Sequence, residues 1–243
     1  FWAFKKSNSY LKIIASSQGA TSAHYAKKLG FEKNTTDYKT ILNDKEINSL
    51  IIATQHDSHA KFVTEGLISG KNIFVEKPLA LTKDQLNDIK ESFTESSKFE
   101  DSPILMVGFN RRFSSLVKSA KESLATNIPI SISYTCNAGF IPNDSWIHDL
   151  NIGGGRIIGE ACHFIDLCRF FTGSKIVSIH AINLKEKKSP NDTVSISLEF
   201  ENGSIASINY FSNGNNSFPK ERIDIFQGGK TISINNFKEL KSY

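Results

Sequence analysis

Two groups of residues in this chain have the types and spacing to do chemistry. The first is Glu76-Lys77-Pro78, which closes the apolar run Ile73-Phe74-Val75. Proline removes a backbone donor and ends a β-ladder, so a carboxylate and an ammonium are expected at the carboxyl end of a buried strand. Open α/β sheets bind ligands at that edge. The competing reading is a solvated turn. The second group is Glu160, His163 and Asp166, three apart in an apolar stretch of helical pattern. A histidine with a carboxylate one turn away on each side has the makings of a general base. Taken alone, a satisfied core histidine is the commoner reading. The preceding Gly153-Gly154-Gly155 either lets a backbone come close or makes a mobile turn. Arg111-Arg112 follows a strand, where one arginine can pair with a carboxylate of the fold while the other faces a ligand. A wholly structural role for both is the alternative.

The elements that must position these residues change character along the chain. Up to residue 107, β-prone runs (11–15, 47–53, 73–75 and 104–107) alternate with helical segments. The helices run from Thr21 to Leu29 with Gly30 as C-cap, from Thr36-Asp37, from Ala60 to Ile68, and from Thr82 to Phe93. Thr82 with Gln85 three residues on reads as a capping box. Residues 1–7 read as the tail of a helix, and 94–103 as a polar, flexible connection. Such alternation predicts a parallel, doubly wound sheet. From Ile130 the period becomes two, and strands follow at 175–184, 193–200, 204–211, 222–226 and 230–234, with Glu201-Asn202-Gly203 and Gly228-Gly229 as turns. The expected architecture is therefore an α/β Rossmann domain over 1–108, truncated at its N-terminus. An α+β domain with an open, mainly antiparallel sheet follows over 109–243, with the boundary near 108–114.

A dinucleotide-binding sheet carries Gly-x-Gly-x-x-Gly after its first strand, and this chain does not contain it. The chain begins at Phe1 rather than Met, so the expectation is a fragment that starts beyond that loop; a sheet that never had the loop is the alternative. The strand over 11–15 ends in Ser16-Ser17, where an NAD site has an acid on the ribose hydroxyls. Hydroxyls do not repel a 2′-phosphate, so NADP and NAD both stay open, as does a plain turn. His56 and His59 follow the strand over 47–53. With only Asp57 between them they make a poor metal set, and no metal is expected. Packing near a nicotinamide ribose, or capping the next helix, is the preferred reading.

The totals limit the function classes. The chain has 243 residues, 39% hydrophobic and 22% charged, with 29 basic and 25 acidic residues for a net charge of +4. Basic residues are scattered, which speaks against nucleic acid as a partner. No apolar run approaches spanning length and no secretory signal opens the chain, so neither membrane nor export is expected. Cys136, Cys162 and Cys168 form no Cys-x-x-Cys pair and read as reduced thiols of a cytoplasmic protein.

In combination, the Glu-Lys-Pro strand end, the Ala53-Thr54-x-His56-x-x-His59 loop, the Arg-Phe turn at 112–113 and the triple glycine leading to His163 resemble one family: glucose-fructose oxidoreductase, inositol dehydrogenase and their relatives. The resemblance runs in order along essentially the whole chain. Gly108 to Ser114 and Gly153 to Leu167 look closest to a branch fused behind a zinc-type alcohol-dehydrogenase-like domain and associated with surface polysaccharide genes. The resemblance implies NADP- or NAD-dependent hydride transfer to or from a sugar-like or cyclitol alcohol. It also implies further chain after Tyr243 and homo-oligomers formed through the open sheet. Residue by residue, it makes Lys77 the substrate and cofactor lysine and His163 the proton acceptor. It makes Ser16, Ser17, Ala53, Thr54, His56, His59, Glu76 and Lys77 cofactor contacts. Asn110, Arg111, Trp146 and His148 are candidate substrate contacts. The family's aspartate, four residues before the histidine, is Gly159 here, and Glu160 is the only nearby substitute. Lys77-Pro78 is a candidate cis bond. The alternative function is a non-catalytic, nucleotide-binding sensor of the same fold.

Overall fold

The computed structural model describes residues 8–185 and 192–243; the expected helix tail over 1–7 lies outside them. The chain divides into two compact units. One comprises the residues up to Ala53, Ser58–Val75 and Thr82–Met106; the other comprises Thr54–Asp57, Glu76–Leu81 and Val107–Tyr243.

The first unit alternates as its sequence requires: β1 (Ile13–Ala15), α1 (Gly19–Leu29), β2 (Lys33–Thr35), α2 (Lys39–Asn43), β3 (Ser49–Ile52), α3 (His59–Ile68), β4 (Asn72–Val75), α4 (Lys83–Ser96) and β5 (Leu105–Val107). β1 and β2 pair in parallel, and β4 lies between β3 and β5, parallel to β3 with Ile52 opposite Val75. Val63 and Leu67 of α3 and Val75 of β4 have no exposed surface, and Ile73 and Ile89 almost none. The capping box is present: the Gln85 N–H donates to Thr82 Oγ1 at 3.2 Å and the Thr82 N–H to Gln85 Oε1 at 3.3 Å. Two features depart from expectation. β2 is a short polar strand without alternation, fixed by its pairing with β1. α4 continues to Ser96 because the hydroxyls of Thr94 and Ser96 bond back to carbonyls of the preceding turn, which satisfies a polar sequence inside a helix.

In the second unit, seven strands form one sheet in the order β12-β11-β10-β6-β9-β8-β7. They are β6 (Ser131–Asn137), β7 (Ile176–Asn183), β8 (Val194–Phe200), β9 (Ile205–Phe211), β10 (Glu221–Gln227), β11 (Lys230–Asn235) and β12 (Glu239–Ser242). Pairing is antiparallel except between β6 and β9. β12, a polar edge strand, carries no apolar alternation and was not expected. Period-two patterning sends Val194, Ile196, Leu198 and Phe200 inward and leaves Ser195, Ser197 and Glu199 exposed. Two helices, α5 (Ser115–Glu122) and α6 (Cys162–Thr172), bury Val117, Ala120, Phe164, Leu167 and Phe171 in the same core as the inward strand residues. Each such large side chain contributes about 1.5–3 kcal/mol by leaving water. α6 stops at Gly173, in the left-handed conformation, and is preceded by a π-helical turn over Ile157–Ala161.

Candidate active site

The short segments Thr54–Asp57 and Glu76–Leu81 belong to the second unit by their contacts. The Lys77–Pro78 bond is cis, as the strand exit led us to expect. Lys77 Nζ donates to the carbonyl of Gly159, inside the π-turn, at 2.8 Å. The His56 ring is 8% exposed. Its Nδ1 lies 2.8 Å from the Gly153 carbonyl, so Nδ1 carries the proton, and the ring meets Trp146 edge-on at 4.9 Å between centroids. The triple glycine is a place of close approach. A Cβ on Gly153 would lie 2.4 Å from the Ile147 carbonyl oxygen, and one on Gly154 (φ +73) 2.5 Å from Leu81 Cδ2. On Gly159 it would lie 3.1 Å from His56 Cε1.

The carboxylates expected to flank His163 are both engaged elsewhere. Glu160 accepts from Arg156 Nε at 3.1 Å and from the Tyr210 hydroxyl at 2.7 Å. Asp166 accepts from both faces of the Arg112 fork, with the Nε bond at 2.6 Å. Glu160 is thus corrected from a catalytic partner of His163 to an anchor of the π-turn, where the wider winding changes the direction of a side chain from that of an α-helix. Arg111 needs the same correction. Its Nε and Nη2 bond Glu221 at 2.9 and 2.7 Å, its guanidinium lies 5.1 Å over the Phe164 ring, and Tyr134 donates to the same carboxylate at 2.5 Å. Burial pulls the Arg111 pKa down, and Glu221 more than reverses this. Both arginines are thus bonded to carboxylates of the fold, Arg111 to Glu221 and Arg112 to Asp166.

His163 is left with an unusual environment. It is 8% exposed, its Nδ1 is buried with no hydrogen-bond partner, and Phe109 meets its ring edge-on. Burial, then the positive charges of Arg111 and Lys77, push its pKa down to about 3. The imidazole is neutral at physiological pH, with one nitrogen able to accept a proton.

The other expected site residues divide. Asn110 is exposed, Trp146 is 39% exposed, and His148 carries a buried Nε2 without a partner. Glu76, Ala53 and Thr54 are exposed. His59 has no exposed surface. Ser17 is exposed at the end of β1, and Ser16 Oγ accepts from the Gln18 N–H at 3.3 Å, which leaves its own O–H free to donate. Such a pair of hydroxyls, with no carboxylate, fits a nucleotide ribose bearing either a hydroxyl or a phosphate. Among the described residues no group of His, Cys, Asp and Glu could hold a metal. Burial raises the thiols of Cys162 and Cys136 to about 11 and about 12, so neither is a nucleophile. Sequence reasoning missed the Gly159 carbonyl, Tyr210, Arg156 and Glu221. Of these only Arg156, four residues before Glu160, left a local signal.

An α/β nucleotide-type domain followed by an open-sheet domain carrying the histidine helix is the architecture of two-domain nicotinamide-dependent dehydrogenases. The model of the oxidoreductase family with NAD-binding Rossmann fold matches residues 2–100, and that of the GFO/IDH/MocA C-terminal domain matches residues 128–227. The chain belongs to the Gfo/Idh/MocA oxidoreductase family. It is 33% identical over 159 residues to scyllo-inositol 2-dehydrogenase (NAD(+)) of Bacillus subtilis, covering 63% of this chain and 44% of that protein. It is 25% identical over 222 residues to myo-inositol 2-dehydrogenase of Thermotoga maritima, covering 88% and 64%. Levoglucosan dehydrogenase in complex with NADH and L-sorbose superposes with a TM-score of 0.80 at 26% identity, over 95% of this chain and 66% of that one. The chain thus spans about half to two thirds of the length of these proteins.

Proposed function

We propose that the protein is an NADP- or NAD-dependent oxidoreductase that interconverts a sugar-like or cyclitol alcohol and its ketone. The observation that supports this reading is Lys77, anchored at 2.8 Å on the carbonyl of Gly159, four residues before a His163 whose buried Nδ1 has no hydrogen-bond partner. The nicotinamide, when bound, supplies the hydride acceptor or donor. Ser16 and Ser17 would hold a ribose, and Ala53, Thr54, His56 and Glu76 would lie along the nucleotide. Lys77 binds the oxygen of the alcohol and stabilises its negative charge as the proton leaves. His163 takes that proton on a nitrogen that no carboxylate occupies. Asn110, Trp146 and His148 would orient the polyol. Inositols, levoglucosan and their relatives are the first substrates to try, because the similar proteins are named for them.

The test is turnover by the full-length protein with NAD or NADP over such a panel. Lys77→Gln and His163→Asn should each lower kcat/KM by about 100-fold or more. Undiminished turnover in both variants would refute the assignment. The engagement of both flanking carboxylates elsewhere favours a second reading, a sensor that binds nucleotide without turnover; binding with no oxidation of any panel member would select it. We also propose that the open sheet face, which exposes Ile205, Phe226 and a run of serines, joins copies of the chain. A zinc-type alcohol-dehydrogenase-like partner domain, a role in surface polysaccharide metabolism and a cytoplasmic location remain part of this proposal. Full gene sequence and light scattering test the first and the oligomer.

A further inference from the structure

Charge balance around Lys77 and His163 carries an inference that rests on the function just proposed and narrows its substrate. Lys77 has a main-chain carbonyl as its hydrogen-bond partner and no ion pair among the described residues. An ammonium has three donors, so two remain. Its chain neighbour Glu76 is exposed and makes no ion pair with it. Asp57 and Asp149, on the segments around His56 and Trp146, are exposed as well. Glu160 and Asp166, the carboxylates on the histidine's own helix, are bonded to Arg156 with Tyr210 and to Arg112. Of the two cations whose charge reaches the His163 ring, Arg111 is balanced by its two hydrogen bonds to Glu221, and Lys77 has no such counter-ion among the described residues. Position 159, one helical turn before His163, is a glycine, so no side chain there offsets Lys77. The site therefore holds one unbalanced positive charge, that of Lys77, and a buried, unpartnered imidazole nitrogen.

From this we infer that the substrate carries its own carboxylate, in the manner of a hexuronic or aldonic acid, and that this group supplies the counter-charge to Lys77 that the protein does not. A charged hydrogen bond in a partly buried site discriminates strongly between a carboxylate and a neutral group of the same shape. It also orients the substrate, since the carboxylate and the reacting hydroxyl must share one ammonium.

The experiment compares acids with their uncharged amides, which keep the shape and remove the charge: glucuronate with glucuronamide, galacturonate with galacturonamide, and gluconate with gluconamide. Full-length protein is titrated calorimetrically with each pair, and kcat/KM is measured for each in the presence of NAD or NADP. The inference expects at least one acid to bind more tightly than its amide by about tenfold or more. Lys77→Gln should abolish that preference in the calorimeter. Gly159→Asp, which places a carboxylate where the structure has none, should reverse it; the His56 ring must give a few tenths of an ångström to admit it. Equal binding within every pair, tighter binding of the amides, or no binding of any acid in the millimolar range would overturn the inference. If neutral polyols are oxidised while the acids show no advantage, the inference fails and the proposed function stands. If an acid binds selectively through Lys77 but nothing is turned over, the proposed function fails and the anion selectivity stands.

Discussion

Replacing His163 by leucine should make the protein less sensitive to acid, even if it lowers stability at neutral pH. In the folded protein the imidazole stays neutral down to about pH 3, whereas in the unfolded chain it takes a proton near pH 6.5. Between those values the unfolded state binds one more proton than the folded state. The contribution of His163 to stability is therefore intact above pH 6.5 and is lost as pH falls toward 3. The slope is at most about 1.4 kcal/mol per pH unit. From pH 7.5 to 5 this amounts to at most about 2 kcal/mol. Urea unfolding followed by fluorescence, with Trp146 as a reporter in the same unit, gives the stability of both proteins at several pH values. Any repacking penalty of the leucine is independent of pH and cancels in the difference. The difference should shrink by about 1–2 kcal/mol across that range. Parallel curves would refute the placement of a neutral, unpartnered imidazole in this helix.

Glu221→Ala should cost about 3–5 kcal/mol, since it leaves Arg111 buried without its partner, and the double variant Arg111→Met, Glu221→Met should recover most of that loss in denaturant titrations. Gly154→Ala should lower the melting temperature, by a change worth about 1–3 kcal/mol, because a Cβ there meets Leu81 at a positive φ; restoring space with Leu81→Ala should return only the packing part. Tyr210→Phe should remove about 1.5–3 kcal/mol by taking a hydrogen bond from Glu160, and should alter kcat more than KM if the π-turn positions the Lys77 anchor.

Local periodicity made most of the fold legible. The run Val194 to Phe200 alternates so regularly that its two faces could be read without coordinates, and Thr82 with Gln85 announced the start of α4 to the residue. β2 and β12 were not readable because three or four polar residues carry no pattern; pairing with a neighbour makes them strands. In the candidate site, Lys77 and His163 could be singled out because each follows from a local signal, Lys77 beside a strand-ending proline and His163 on the helix that a triple glycine leads into. Their partners were not. Arg111 meets Glu221 across 110 residues and Glu160 meets Tyr210 across 50, and no spacing rule reaches that far. The error over Glu160 arose from assuming α-helical directions where the chain is wound as a π-turn.

That turn has an evolutionary consequence. A π-turn arises when one residue is inserted into an α-helix. Deleting a single position between 157 and 161 would rewind the segment and rotate what lies before it by about 100° relative to the helix that carries the imidazole. The Gly159 oxygen would then swing away from the ammonium it holds, while the seven-stranded sheet stayed as it is. A one-codon change thus separates two placements of the Gly159 carbonyl on the same scaffold, with Lys77 and His163 themselves unchanged.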